Sequence, residues 1–297
     1  MAGLKESKGD KLFVSINMII VTLLTLVVLY PLIYILSCSI SDPNLVGSGK
    51  VWLLPKDITL EGYKRVFQDE NIMIGYGNTI FYTVFGTLLN LCMTLTAGYA
   101  LSKKTLPGRG FIMGYLLVTM YFSGGMIPSY LLVKKLGLLD TRLVLIIIGA
   151  VSVYNLIISR TFFQGIPKEL EEAALIDGCS TARTFVQIVI PLSKALIGVM
   201  TLYYGVGHWN SYFNALIYIA DKAKKPLQIF LREILITEQM SAAMAQSVRD
   251  EQLFEMEKLK HLLKYSVNIV SSLPVLIIYP FLQKYFDKGI LLGSIKG

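Results

Sequence analysis

Charged residues divide this chain into long uncharged runs. No Asp, Glu, Lys or Arg occurs in 12–41, 71–102, 110–133, 143–159, 195–220 or 265–283. A helix needs about 20 mostly apolar residues to cross a hydrocarbon core about 30 Å thick. Five runs meet or nearly meet that length, and the run 143–159 meets it once the apolar residues beyond Arg160 are added. Backbone groups in lipid must be hydrogen-bonded within the protein, so the pattern predicts an all-α, polytopic membrane protein with six transmembrane helices.

The first uncharged run has a competing interpretation as a secretory signal peptide, because Lys5, Lys8 and Lys11 precede it. A signal peptide has an apolar region of about 7–15 residues, followed by a cleavage site of small residues. The run here is longer, and no such site follows it. It is therefore predicted to be a transmembrane helix.

The composition supports the membrane class. Of the 297 residues, 54% are hydrophobic and 16% are charged, whereas soluble domains carry about 25% charged residues. The net charge of +8 is compatible with nucleic-acid binding, but the basic residues lie in short clusters between apolar runs, which favours loop charge and no nucleic-acid partner. Cys38, Cys92 and Cys179 have the spacing of neither a metal site nor a disulfide framework, so no metal is expected.

The segment between the fourth and fifth runs predicts a short helix outside the membrane. Pro167 suits a helix start, and the three glutamates that follow complement the positive end of the helix dipole. Gly178 suits the exit, where a left-handed backbone is needed. Ala173 and Ala174 are small, so a partner surface can approach closely. A second helix is expected from about Thr181.

The spacing of residues in this segment resembles the EAA loop of ABC importer permeases. The family pattern is EAA, three residues, Gly, nine residues, Ile, one residue, Leu-Pro. The matching residues are Glu172, Ala173, Ala174, Gly178, Ile188 and Pro191. The chain departs from the pattern only at Ile190, which stands in place of Leu. An EAA triplet alone is weak, but the full spacing between two apolar runs is specific.

The resemblance covers about seven-tenths of the chain, residues 75–286. Within it, 121–128, 136–141 and 207–214 are similar to the carbohydrate branch, closest to permeases for oligosaccharides and polysaccharide fragments. The added first span is typical of the maltose-type second permease. The resemblance implies an N-terminal part, 1–74, with the tail, first transmembrane helix and external loop. It also implies a core, 75–286, with a coupling loop, 167–191, and a cytoplasmic tail, 287–297.

The resemblance also implies a mechanism, in which a coupling helix docks on a cytoplasmic ATPase subunit. The residues assigned to this loop are Glu172, Ala173, Ala174, Asp177, Gly178, Ile188 and Pro191. Two ATPases, which use ATP with magnesium, drive this chain and a second permease, and an extracytoplasmic sugar-binding protein delivers the sugar or oligosaccharide. The chain itself has no GxxxxGK[ST] loop, so it is expected to bind no cofactor and to be no enzyme.

Basic residues do not orient the chain, because the two sides carry similar numbers of them. The coupling loop must face the ATPases, so the resemblance implies cytoplasmic termini in a prokaryotic plasma (inner) membrane. Glu172 is expected to pair with a basic residue of a partner or of this chain, with Arg183 as the candidate. A bulky residue at Gly178 is expected to impair assembly or coupling. Residues 221–264 are expected to form a partly helical outer cap that contacts the binding protein.

Polar and aromatic residues in the fifth run are candidates for the sugar pathway. They are His208, Trp209, Asn210, Tyr212 and Asn214. Sugars bind to aromatic faces and to groups that match their hydroxyls, and polar residues within a membrane are candidate functional residues. Hydrogen bonds between helices and interfacial anchoring are the competing interpretations. Asn90 and Asn155 are less favoured candidates.

Other classes of transporter remain as alternatives. A permease of the same architecture for a non-sugar solute differs only in its cargo. A secondary transporter would be supported by Asp or Glu within a span, and none occurs in the uncharged runs. A membrane enzyme is disfavoured, because the chain has only two histidines and neither an HExxH nor a GxSxG motif.

Overall fold

The computed structural model describes residues 7–244, 263–280 and 283. Within those residues the fold is helical and contains no strand, which confirms the predicted all-α class. The helices are α1 (Lys8–Ser39), α2 (Pro43–Gly47), α3 (Glu61–Gln68), α4 (Glu70–Ser102), α5 (Arg109–Tyr121), α6 (Met126–Lys135), α7 (Arg142–Ile147), α8 (Val153–Gln164), α9 (Lys168–Ile176), α10 (Thr181–Thr184), α11 (Ile190–Leu192), α12 (Lys194–Trp209), α13 (Phe213–Tyr218), α14 (Leu227–Met244) and α15 (Leu263–Pro280). A π-helical segment, Phe185–Val189, joins α10 to α11, and a 3₁₀ turn, Lys222–Lys224, precedes α14.

Three of the described helices, α1, α4 and α15, are long and apolar enough to cross a membrane. Two bent pairs raise this number to five if each pair is one span. The first is α5 with α6, bent by 114°, and the second is Thr181–Leu192 with α12, bent by 82°. The structure therefore supports three to five candidate spans in its described part, where the sequence predicts six.

The run 143–159 also departs from a single continuous helix. The run is divided between α7 and α8, with a break at 148–152. Gly149 in this break has a φ of 78°, which a helix cannot contain. Neither piece alone reaches the length of a membrane-spanning helix.

The described residues fall into two compact units. The first takes the residues up to Asp69 and those between 231 and 272, and the second takes Glu70–Phe230 and those from Leu273 onward. In the first unit, a small core of Cys38, Val46 and Val51 packs against Tyr34 and Tyr265.

In the second unit, α4 is the central helix and packs against α7, α8 and α12. Its small residues allow close approach, as is common between membrane helices. A Cβ on Gly98 would lie 3.0 Å from the Cβ of Ser159 in α8. Beside this contact, a core of Tyr99, Phe163 and Met200 joins α4, α8 and α12.

A polar cluster, here named the loop clamp, holds the first turns of α4 to two loops. It consists of Asn78, Tyr82, Asp140, Arg142 and Lys224. The Asn78 amide donates to the carbonyls of residues 223 (2.8 Å) and 225 (3.0 Å), and its oxygen accepts from Arg142 (3.2 Å). The Tyr82 hydroxyl donates to the Lys224 carbonyl (2.7 Å). Every one of these bonds satisfies a loop carbonyl or a buried amide.

Asp140 ties the two loops of the clamp together. Its carboxylate accepts the backbone N–H groups of Ala220 (3.1 Å) and Asp221 (3.0 Å), and Lys224 donates to its carbonyl (2.8 Å). The N–H of Asp221, helped by the charge of Lys224, holds the pKa of Asp140 below its usual 3.8. Asp140 also adopts a φ of 56°, a conformation that Asp tolerates better than most residues.

We predict that Asp140→Asn lowers thermal stability and flattens its acid dependence. The folded-state pKa of Asp140 lies below 3.8, so its contribution is present above that pH and is lost as the pH falls below it. The melting temperature of the purified protein, measured from pH 3 to pH 7, checks this. Asp57→Asn is the matched control, because Asp57 also has a positive φ, of 48°, and its carboxylate forms no bond in the described part. Equal acid slopes for wild type and Asp140→Asn would contradict the prediction.

Candidate functional site

The predicted surface helix is α9, and its two ends have the expected geometry. It begins after Pro167, and Glu169 and Glu171 lie in its first turn, near the positive end of its dipole. At its exit the N–H of Cys179 donates to the carbonyl of Ala174 (2.9 Å), and Gly178 has a φ of 77°. This is the left-handed residue that a helix end of this type needs.

One face of α9 is anchored and the other is free in the described chain. Ala174 is buried, whereas Glu172 and Ala173 are exposed and the side chain of Ile176 is 86% exposed. Glu171 forms an ion pair with Lys103, which follows α4. An exposed isoleucine beside a small alanine gives α9 an apolar outer surface of the kind that a partner protein covers.

The predicted pair of Glu172 with Arg183 does not form within the described residues. The preceding glutamate, Glu171, is the one that pairs, because Ala174, three residues on, lies on the same inward face of α9. The sequence signal was present but ambiguous, since three glutamates in four positions compete for one lysine. Pairing of Glu172 with a partner's basic residue stays a prediction.

The chain after Gly178 packs against the core of the second unit and then bends sharply. Ser180 caps α10, so the second helix starts at Thr181 as predicted. The ring of Phe185 lies 4.8 Å from that of Tyr99 in α4. Ile188 is half-buried in the π-helical segment, and Pro191 is exposed in α11.

Pro191 lies directly before the bend that leads into α12. The chain turns by 82° at Ser193 before α12 begins. The buried hydroxyl of Ser193 donates to the carbonyl of Val189 (2.7 Å), which satisfies one of the groups that the bend frees.

Polar groups meet at the centre of the second unit, around Asn90 of α4. Asn90 is fully buried, and its amide donates to the carbonyls of Gly149 (2.9 Å) and Ala150 (2.8 Å) in the break between α7 and α8. Its oxygen lies 2.6 Å from Nε2 of His208. Because both amide hydrogens are used, His208 must donate to this oxygen from Nε2. The ring of His208 rests against Gly86, where a Cβ would lie 2.4 Å from it.

The structure separates the five candidate pathway residues into different settings. His208 and Trp209 lie in the last turn of α12, where Trp209 is buried and packs edge-on against Tyr76 at 5.7 Å. Asn210 is exposed where α12 ends, and Tyr212 is exposed before α13 begins. Asn214 is half-buried in α13. The fifth uncharged run is therefore two helices with a break at 210–212.

A pocket of about 360 Å³ lies beside Trp209, between α4, α12 and the second half of α15. Its wall is apolar except for Thr83, Thr87 and Thr201. The hydroxyls of Thr83 and Thr87 form no hydrogen bond within the described residues, although Thr87 is only 8% exposed. These threonines were not among the residues predicted from the sequence. The signal was their spacing along α4, where Thr79, Thr83, Thr87, Asn90 and Thr94 share one helix face.

Comparison with known proteins decides the class. The family described as "Binding-protein-dependent transport system inner membrane component" matches residues 1–292. The chain belongs to this family. It is 40% identical to the protein LplC of Bacillus subtilis over 292 residues, which cover 98% of this chain and 97% of LplC. It is also 40% identical, over 92% of this chain and 94% of the relative, to a polygalacturonan/rhamnogalacturonan transport system permease protein, YtcP, of the same organism.

A solved structure gives the same result at the level of the fold. The crystal structure of a bacterial ABC transporter involved in the import of the acidic polysaccharide alginate matches with a TM-score of 0.85 and 34% identity. The match covers 96% of this chain and all of that chain. The resemblance to ABC importer permeases is therefore confirmed. A family member of this kind is a membrane component of a transport system, which agrees with the prediction that it is no enzyme.

Within the described residues, no three His, Cys, Asp or Glu side chains are grouped so as to hold a metal ion.

We predict that Gly86→Ala destabilises this family member by about 2 kcal/mol, the usual cost of overpacking a core. The added methyl group would meet the ring of His208, which the bond to Asn90 prevents from moving away. Gly77→Ala in the same helix is the control, because nothing lies within 4 Å of its Cβ position. We expect this control to be neutral or slightly stabilising. Thermal unfolding of both variants checks the prediction, and equal melting temperatures would refute it.

Proposed function

We propose that this chain is a transmembrane permease subunit of an ATP-binding-cassette importer for an oligosaccharide. It would act with a second permease subunit, two cytoplasmic ATPases that use ATP with magnesium, and an extracytoplasmic sugar-binding protein. The observation that carries this proposal is the geometry of α9, a rigid helix with one anchored face and one exposed face. Family membership supports the same role, because the family serves transport systems that depend on a binding protein.

The contacts of α9 support a role in coupling. On its inner side, the Glu171–Lys103 ion pair joins it to the end of α4, and Lys103 lies 4.1 Å above the ring of Tyr99. That ring also contacts Phe185 in the π-helical segment. A force on the exposed face of α9 would thus reach α4 directly and α12 through the bend at Ser193. Glu172, Ala173 and Ile176 would form the surface that an ATPase contacts.

The breaks within the helices support a pathway for a polar solute. Irregular backbone at membrane depth is tolerated where it lies inside protein or lines a water-filled cavity. Transporters place their substrate sites at such discontinuous helices. The break at 210–212 exposes Asn210 and Tyr212, a hydrogen-bonding amide and an aromatic face. We assign these two residues to the sugar pathway. Trp209 and Asn214, in the helices on either side of the break, would hold them in position.

The orientation follows from the proposed coupling role. The surface of α9 would face the ATPases, so both termini of a six-span chain would be cytoplasmic. The loop clamp would then lie on the opposite face of the membrane. Of residues 221–264, the structure describes 221–244 and 263–264, and residues 245–262 lie outside the described residues. Their role as an outer cap for the binding protein stays a proposal.

The names of two similar proteins favour one class of oligosaccharide as the cargo. One relative is named for polygalacturonan and rhamnogalacturonan, and the matching transporter imports alginate, described as an acidic polysaccharide. We therefore propose a fragment of an acidic polysaccharide as the cargo. Binding of acidic and neutral oligosaccharides to the cognate binding protein, measured by calorimetry, tests this. Preference for a neutral oligosaccharide would contradict the acidic class and leave the permease role intact.

The importer role itself is tested by its partners. The tagged chain, purified gently from its native membrane, should carry an ATPase and a second permease in stoichiometric amounts by mass spectrometry. In proteoliposomes, this complex should move solute only with ATP and the binding protein. Solute movement by the chain alone, without ATP, would favour a secondary transporter.

We predict that Ile176→Glu reduces ATPase co-purification at least about tenfold, because it buries an unpaired charge in the docking surface. Glu172→Ala should also weaken co-purification, through the loss of a charge that faces the partner. Ile58→Glu is the matched control, because Ile58 is an apolar side chain of similar exposure outside α9. Normal ATPase recovery with Ile176→Glu would place the docking surface elsewhere.

A further inference from the structure

Two arginines converge on one side-chain oxygen where α4, α5 and α8 meet. With the Gln164 amide turned so that its oxygen faces them, this oxygen accepts from Nη2 of Arg109 (2.6 Å) and from Nη2 of Arg160 (3.3 Å). Arg160 also donates from Nε to the carbonyl of Leu101 (3.3 Å). In the part of the chain that the structure describes, no carboxylate forms an ion pair with either guanidinium group. Two like charges are therefore held together by neutral oxygens alone.

This arginine pair lies at the edge of the apolar layer. Arg109 directly precedes the uncharged run 110–133, and Arg160 lies near the end of α8, which closes at Gln164. Positions at the ends of apolar runs are at the depth of the lipid headgroups.

The surface beside the pair suits a lipid. Phe111 is 81% exposed and Tyr115 is 64% exposed along α5, so apolar surface extends from the charges along the helix. Arg109 is also the first residue of α5, where the positive end of the helix dipole adds to the field. A guanidinium group can donate two parallel hydrogen bonds to a phosphate group. This contact is stronger than the bond to a shared amide oxygen.

We infer that Arg109, Arg160 and Gln164 form a binding site for the headgroup phosphate of an anionic phospholipid. The phosphate would take the place of the Gln164 oxygen between the two guanidinium groups, and an acyl chain would follow α5 past Phe111 and Tyr115. An anionic lipid is favoured over a zwitterionic one, because the site carries two positive charges that no described carboxylate balances. The inference depends on the membrane location that the family shows and not on the identity of the cargo.

The experiment uses the complex purified from its native membrane and placed in bilayers that contain phosphatidylglycerol and phosphatidylcholine. Native mass spectrometry counts the lipids that stay bound. Attraction to an anionic lipid is worth about fivefold in affinity for each basic residue at the surface. We expect Arg109→Gln to weaken phosphatidylglycerol retention about fivefold, and the double variant with Arg160→Gln to weaken it roughly 25-fold. The double variant Arg109→Lys with Arg160→Lys keeps the charge but not the bidentate contact, so it should retain more lipid than the double glutamine variant and less than wild type.

Lys134→Gln with Lys135→Gln is the control, because it removes two exposed charges from the end of α6. Unchanged retention in this control supports a specific site. Three results would overturn the inference: wild-type retention by Arg109→Gln, an equal loss in the lysine control, or equal retention of phosphatidylcholine by the wild-type complex. Arg109→Gln keeps the bond of Arg160 to Leu101, so the test stands even if the double variant fails to assemble.

Discussion

The buried amide of Asn90 is the contact on which the centre of the second unit depends. The break between α7 and α8 leaves carbonyls without a helical partner, and an unsatisfied carbonyl in an apolar interior costs on the order of 1–3 kcal/mol. The amide of Asn90 donates a hydrogen bond to each of two such carbonyls, those of Gly149 and Ala150. Its oxygen is then satisfied by His208, which brings α12 against α4. One side chain thus makes a broken helix compatible with burial and fixes a third helix at the same point.

The same helix, α4, connects this centre to both ends of the unit. Near its start, Asn78 and Tyr82 belong to the loop clamp, and near its end Lys103 anchors α9 through Glu171. If α9 is the coupling helix proposed above, a force on it would reach α4 through the Lys103–Glu171 pair. A packed core has few intermediate arrangements, so a helix held near both ends is expected to move as a whole.

Sequence patterns predicted the elements that depend on local chemistry. The start of α9 after Pro167 and its end at Gly178 follow from residue types that cap helices in any context. The charge-free runs 12–41 and 71–102 correctly predicted α1 and α4, because the length of an apolar run is also a local property of the sequence. The breaks at 148–152 and at Ser193 were not predicted, because a helix can break inside an apolar layer only where polar side chains satisfy its freed groups. The side chain is Asn90 of α4 in the first case and Ser193 itself in the second.

The candidate pathway residues show the same limit. His208 was selected and Asn90 was given less weight, although the structure makes them partners. With Asn90 donating to two carbonyls, His208 must carry its hydrogen on Nε2, so the neutral ring can offer only Nδ1 as an acceptor. Gly86 packs against the ring, where a Cβ would lie 2.4 Å from Cε1 and Nε2 and 2.8 Å from Nδ1. His208 is half-buried and already bonded to Asn90, whereas the break itself exposes Asn210 and Tyr212, which is why the proposed sugar pathway rests on those two.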